Sequence, residues 1–351
     1  MADLLALKAL NERRWRLLRI GAILLGAACV PAAAQDQLSI VEYSGMCDAS
    51  AAIALEKGVF LVASDEDNVL RVYRRGEPKV VQSIPLDADL KVDPEEPEVD
   101  IEGAARVGDT IYWTASHSQS KKGKLRTSRH RLFATMVTKV HGKFKITLAR
   151  KPYVRLREDL INAPQLEKFG LAAAAQLAPE ADGGFNIEGL AATPDGRLLL
   201  GFRNPLTKDG KALVVPIKNQ RVVLAERKSR KKGKSPQIKL GEPAELFLGG
   251  RGIRSIEWSE TRKHYLVVAG PTGDDGTFAL YSWSGEPKDH AIEIPEVKFG
   301  PLNPEAMFFE PGEATEVQVI SDDGGREIDK KDCKDAPLAK RRFRGSTLTL
   351  R

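Results

Sequence analysis

The chain has 351 residues, 42% hydrophobic and 29% charged, with a formal net charge of +6. Residues 1–34 hold five of the basic side chains and two of the acidic ones, so the remainder carries only about +3, too balanced a surface to argue for nucleic-acid binding. No stretch beyond residue 34 is continuously apolar over the roughly twenty residues that a spanning helix needs, which excludes a helical membrane span there.

At the start of the chain, Arg13, Arg14, Arg16 and Arg19 precede a short apolar run from Ile20 to Val30, and Ala32-Ala33-Ala34 stands before Gln35. That order is a secretory signal peptide with cleavage near Ala34, and it places the mature chain in the periplasm or outside the cell. A lipoprotein signal at Cys29 fails because Gly26 stands where a leucine is needed, and a twin-arginine signal fails at Arg16. Loss of Cys29 leaves Cys47 and Cys333. An oxidising compartment favours a disulfide between them; two independent thiols are the alternative.

Self-similarity follows, anchored at two points in each copy. The first anchors are Cys47-Asp48-Ala49, Ile101-Glu102-Gly103, Ile187-Glu188-Gly189, Ile253-Arg254-Ser255 and Pro304-Glu305-Ala306. The second are Ser64-Asp65, Ser116-His117, Phe202-Arg203, Ala269-Gly270 and Ser321-Asp322, lying 17, 15, 15, 16 and 17 residues further on. Between anchors runs an apolar segment, a turn such as Pro194-Asp195-Gly196, and a second apolar segment, the pattern of a β-hairpin. Further short strands follow each hairpin. About four strands per unit predict a single all-β domain over residues 35–351, a β-propeller of five blades with a degenerate sixth as the alternative.

Successive copies begin 54, 86, 66 and 51 residues apart. The long second interval holds Asn162 to Glu180, whose apolar spacing predicts a short helical insertion near 162–180 with Asn162 as its cap. A leading strand from Gln37 to Tyr43 is expected to pair with the last repeat and close the ring, which would also bring Cys47 beside Cys333. The basic run Arg227 to Lys234 is expected to be a solvated hairpin tip. Gly233-Lys234-Ser235 is no phosphate loop, because Lys228 occupies the place of its first glycine.

Each hairpin sets its two anchors side by side at one end of the sheet. Asp48, Asp65, Glu102, His117, Glu188, Arg203, Arg254, Glu305 and Asp322 are therefore expected to meet at one mouth of the central channel, where isolated charges are costly. Glu188 and Arg203 are candidates for an internal ion pair, and Arg254 for neutralising its neighbours. Glu102, Glu188, Arg254 and Glu305 are the candidate ligand-binding set. Asp48, Asp65 and Asp322 are candidate metal ligands, for a divalent cation with calcium first. His117 and Arg203 are the candidate catalytic residues, because the second anchor varies around the ring as a purely structural position does not. The remaining histidines, His130, His141, His264 and His290, have no evident partner in the sequence.

At Asp100-Ile101-Glu102-Gly103, Ser116-His117-Ser118, Asn186-Ile187-Glu188-Gly189 and Pro304-Glu305-Ala306 the chain resembles a domain-of-unknown-function family of secreted bacterial proteins, over nearly all of its mature length. More remotely, the Asp/Asn-x-Glu-Gly opening is similar to that of phytase-like and esterase-like propellers, which implies a propeller fold and makes phosphoester hydrolysis a candidate. Two functions follow as expectations: a monomeric exported propeller binding a small anionic ligand, with metal-dependent hydrolysis as an extension, or a non-enzymatic scaffold propeller that binds a ligand or a protein.

Overall fold

The inner strands of each repeat are apolar on both sides, and the fold buries both. Residues Leu198–Asn204, with the sequence LLLGFRN, are buried throughout. Such a strand belongs between two other sheets. The computed structural model describes residues 38–224 and 237–350. Segment 1–34, expected to be a signal peptide, and the basic run 227–234 lie outside the described residues.

The described chain opens with β1 (Ile40–Ser44). Blade 1 comprises β2 (Ala49–Glu56), β3 (Val59–Ser64), β4 (Val69–Arg74) and β5 (Gln82–Pro85), followed by the single-turn helix α1 (Asp87–Leu90). Blade 2 comprises β6 (Ile101–Val107), β7 (Thr110–Ala115), β8 (Leu132–Val140) and β9 (Lys143–Leu148). After α2 (Leu156–Ile161), a 3-10 segment (Pro164–Phe169) and α3 (Leu171–Ala174), blade 3 comprises β10 (Asn186–Ala192), β11 (Leu198–Asn204), β12 (Ala212–Ile217) and β13 (Ala244–Leu246). Blade 4 comprises β14 (Gly252–Ser259), β15 (His264–Gly270), β16 (Ala279–Trp283) and β17 (Ile292–Glu293). Blade 5 begins with β18 (Pro304–Phe308) and β19 (Glu316–Ser321), continues through a small hairpin of β20 (Glu327–Ile328) and β21 (Lys331–Asp332), and ends in β22 (Arg342–Thr349). Its fourth strand is β1, in the order β1-β22-β19-β18. All five four-stranded sheets are antiparallel, the five-bladed propeller expected from the repeat.

The insertion is helical, but it starts earlier than its spacing suggested. Asn162 does not cap it from the front. It closes α2, with its backbone N–H donating to the Glu158 carbonyl at 3.0 Å and its side-chain amide donating to the same oxygen at 2.7 Å. The segment packs Leu156, Leu160, Leu166 and Leu171 against Ile187, Leu198 and Phe202, so it thickens the core between blades 2 and 3 and adds no sixth four-stranded blade among the described residues.

Hydrophobic cores fill each blade-to-blade interface. Leu61 and Val72 meet Ile101 and Trp113; Leu199 and Val214 meet Tyr265 and Trp283; Leu266 and Leu280 meet Val317 and Leu348. The closing interface, between blades 5 and 1, is aromatic. Tyr43 stacks on Phe343 with ring centroids 5.2 Å apart, Phe60 stacks on Phe308 at 5.3 Å, and Tyr73 packs edge-on to Phe343. Tyr43 pairs with Phe343 across β1 and β22, so the leading strand closes the ring and removes an exposed sheet edge. Beside it the buried Cys47 and Cys333 form a disulfide with Cα atoms 5.8 Å apart.

Candidate functional site

The site is built by one irregularity repeated in every blade. Between the two innermost strands the register slips by one residue: Ile101 faces Ala115 but Gly103 faces Thr114, and the same slip separates Ala49 from Ala51, Ile187 from Gly189, Ile253 from Ser255 and Pro304 from Ala306. The extra residue of such a bulge is left out of the ladder. Those residues are Ser50, Glu102, Glu188, Arg254 and Glu305, and together they ring the axis.

Glycine follows the bulge for a packing reason. A Cβ at Gly103 would stand 2.8 Å from the Leu190 Cβ of the next blade, and one at Gly189 would stand 2.9 Å from Ile253. The Ile-Glu-Gly motif is thus a core residue, an axial residue and a point of close blade approach.

This register corrects two expected positions. Ser50, not Asp48, is the blade 1 member of the ring; its hydroxyl donates to the Ile101 carbonyl and ties blade 1 to blade 2. Asp48 lies two residues earlier, at the position of Asp100 and Asn186. At the second anchor, Ala115 is the last paired residue of β7, so Ser116 and not His117 is the counterpart of Asp65, Arg203, Gly270 and Asp322. A shift of one residue turns a side chain to the other side of a strand.

His117 accordingly points away from the acids. It is fully buried, with φ of 58°, and its ring stacks on His130 with centroids 6.2 Å apart. Burial, followed by the nearby His130, Arg157 and Arg131, holds its imidazole well below the usual histidine range. It is not combined with Arg203.

Blades 3 to 5 are joined by a continuous ionic chain, Arg203–Glu188–Arg254–Glu305. The Nη1 of Arg203 donates to Glu188 Oε1 at 3.0 Å, and Asn186 donates to the same oxygen at 2.9 Å. The Nε of Arg254 lies 2.9 Å from Glu188 Oε2, and its Nη2 donates to Glu305. The remaining nitrogens are also engaged: Arg203 donates to the carbonyls of Pro271 and Gly273, and Arg254 to that of Pro271. Five of the six guanidinium nitrogens thus donate a hydrogen bond, and the sixth, Nε of Arg254, is in ion contact with Glu188 outside hydrogen-bond geometry.

Blades 1, 2 and 5 are different. Burial, then Asp100, Glu188, Asp65 and Glu305, push Glu102 well above the usual carboxylate range. Burial, then Asp322, Asp48, Asp100 and Glu305, do the same to Asp65, whose Oδ1 is enclosed without a hydrogen-bond donor. Asp48 is pushed up to about 7 by burial and Glu66, against the opposing charges of Lys334 and Arg341. Asp322 rises to about 6, chiefly through burial, although the Gly324 N–H donates to its Oδ1 at 2.8 Å. Gly324 also backs onto the Asp48 carboxylate so closely that a Cβ there would overlap Oδ1. Asp100, which the site reading omitted, is held by Ser116 and by Arg129 at 2.9 Å.

Among the described residues no three His, Cys, Asp or Glu side chains stand in ready metal-ligand geometry. The axial cavity between Ser50, Glu102, Glu188, Ser255 and Glu305 has an accessible volume of about 10 Å³, room for one water molecule and none for an organic ligand. Any larger ligand must stay at the mouth.

A closed ring of five four-stranded antiparallel sheets around a buried, unevenly neutralised axis defines a five-bladed β-propeller. The chain belongs to the family described as protein of unknown function DUF3616, which matches residues 48–178 and 149–306. No curated protein matches the sequence. Among solved structures, it is similar to a Myxococcus xanthus glutaminyl cyclase at 12% identity, TM-score 0.41, over 90% of this chain and 97% of that one. It is also similar to the β-propeller domain of Myceliophthora thermophila Cps50 (Swd1) at 9% identity, TM-score 0.36, over 88% and 100% of the two chains. These likenesses are too distant to bear on function.

Proposed function

We propose that the protein is a non-catalytic binding propeller whose axial mouth takes a cationic group, calcium first, on Asp48, Asp65, Glu102 and Asp322. The observation that carries this reading is the uneven neutralisation of the ring. Glu188 and Glu305 have Arg203 and Arg254, whereas the largest charges acting on Glu102 and Asp65 are other carboxylates. Buried carboxylates so placed are costly unless protonated or met by a cation. A hard divalent ion suits several carboxylate oxygens, and the four side chains would draw together around it. An ammonium group is the other member of the same chemical class.

Phosphoester hydrolysis draws no support from the ring, since both arginines are engaged by Glu188, Glu305 and backbone carbonyls and His117 lies away from the acids. The test is calorimetric titration of protein stripped with EDTA, using calcium chloride and, separately, a small diamine. Saturable binding that Glu102→Gln and Asp65→Asn abolish is the expected result. Absence of heat with both probes would leave the ring as a staple between blades and overturn the reading.

A further inference from the structure

A second polar cluster lies between blade 2 and the helical insertion, outside the ring. Residues Ser116 to Ser120 leave β7 as five consecutive polar side chains, all buried. The insertion covers them: Gln119 Nε2 donates to the Ala175 carbonyl at 2.9 Å, and Arg157 Nη2 donates to the same oxygen. Buried polar atoms are nearly always partnered in folded proteins. Here Nδ1 and Nε2 of His117, Nε2 of His130, Oε1 of Gln119 and Nε of Arg157 are all enclosed and without hydrogen-bond geometry to any group. The backbone of Arg131 also acts on the His117 ring as a hydrogen-bond partner, outside standard geometry.

The charges identify what these atoms can bind. Those acting on the two histidines come from Arg157 and Arg131, in addition to the pair themselves. Each nitrogen of Arg131 is held by a carbonyl, of Leu90, Thr127 or Lys91, so its main contribution is positive potential. Arg157 keeps a free Nε, with Glu158 the one carboxylate acting on it. A metal ion is disfavoured, because two imidazoles without a third ligand would face a guanidinium. An anion meets an arginine N–H and the N–H of two neutral imidazoles, donors suited to carboxylate or phosphate oxygens.

We propose that His117, His130, Arg157 and Gln119 form a binding site, distinct from the axial ring, for one small oxyanion: a carboxylate or a phosphate group. Arg157 supplies the charge, the imidazoles supply directional donors, and Gln119 Oε1 accepts from an imidazole or from a ligand hydroxyl. The left-handed backbone of His117 is what aims its ring here and away from the acids.

The experiment is a titration of the full chain, labelled with 15N, with sodium phosphate and separately with sodium acetate at constant ionic strength, following the imidazole nitrogens by NMR. His117 and His130 should shift saturably while His141, His264 and His290 do not, and the melting temperature should rise with the same midpoint. The probe that acts at lower concentration separates phosphate from carboxylate. Arg157→Gln should weaken the response roughly tenfold or more, the loss of one charge-assisted hydrogen bond. Unmoved ring signals with both probes overturn the proposal, and so does a response of full affinity in Arg157→Gln. Should that variant fail to fold, the wild-type titration decides alone.

Discussion

Arg254 of blade 4 lies with its Nε 2.9 Å from Oε2 of Glu188 in blade 3, and the same guanidinium donates to Glu305 in blade 5. One side chain therefore holds three blades at the axis. Removing it leaves two buried carboxylates facing each other, and loss of one partner from a buried ionic network costs about 3–5 kcal/mol. Arg254→Ala should lower the unfolding free energy by that amount in urea titrations followed by the fluorescence of the buried Trp113 and Trp283. A change below about 1 kcal/mol, the scale of a surface pair, would show that the ionic chain contributes no more than an exposed ion pair.

The acidic half of the mouth should make the protein less stable as pH rises. Asp48 titrates at about 7 in the fold and at its ordinary value of 3.8 when unfolded. Between those values the native state holds the extra proton. Stability then falls with increasing pH across the window and levels off above it. Asp322 adds a slope of the same sign up to about 6. Calorimetric melting temperatures between pH 4 and 8 should therefore decline more steeply in wild type than in Asp48→Asn. Parallel profiles would show that Asp48 is not held protonated.

Glu102→Gln separates a ligand site from a structural one. Arg254 and Arg129 act on Glu102 only weakly beside its strongest neighbours, which are the carboxylates Asp100, Glu188, Asp65 and Glu305. Neutralising it should raise the melting temperature of metal-free protein, by a stabilisation on the order of 1 kcal/mol, while abolishing the further rise that calcium gives the wild type. A variant that is less stable without metal and still responds to calcium contradicts both the unpaired charge and the proposed cation site.

The propeller was legible because its signals are periodic and local. Apolar hairpins, short turns and Ile-Glu-Gly openings recur at spacings that survive without knowledge of the contacts, and the separation of Cys47 from Cys333 makes sense only in a closed ring. The axial residues were less legible because a bulge breaks the alternation on which facing is read. Blade 1 carries Ala49-Ser50-Ala51 where other blades carry a charge and a small residue, so the more conspicuous Asp48 drew the alignment two positions early. Aligning the small residue after the bulge, Ala51 with Gly103 and Gly189, would have identified Ser50. His117 was misplaced by one residue for the same reason: β7 ends at Ala115, and nothing in Ser116-His117-Ser118 marks which residue faces the axis. The cluster around His130 and Arg157 could not be read at all, since it forms only when the insertion folds back over blade 2.

Closure of the ring rests on contacts between the two ends of the described chain, and the disulfide is the covalent one. Cys47 precedes β2, while Cys333 lies in the segment that leads from β21 to β22, and the Asp323 N–H donates to the Cys47 carbonyl at 3.0 Å. The bridge spans 286 residues of sequence, so its loss releases a long loop in the unfolded chain, a contribution of about 2–5 kcal/mol. Both cysteines are buried, and Cys47→Ala with Cys333→Ala keeps the site apolar. The double variant should unfold at lower urea concentration with a steeper denaturant slope, because the unfolded chain without the bridge exposes more surface. Opening should also begin locally, because β1 and β22 are the strands the bridge helps to dock. Hydrogen exchange should therefore accelerate most at Ile40–Ser44 and Arg342–Thr349, and least at Leu198–Asn204 on the far side of the ring. Uniform acceleration would instead mean that the aromatic cluster of Tyr43, Phe60, Tyr73, Phe308 and Phe343 holds the closure by itself and that the disulfide acts only on the unfolded state.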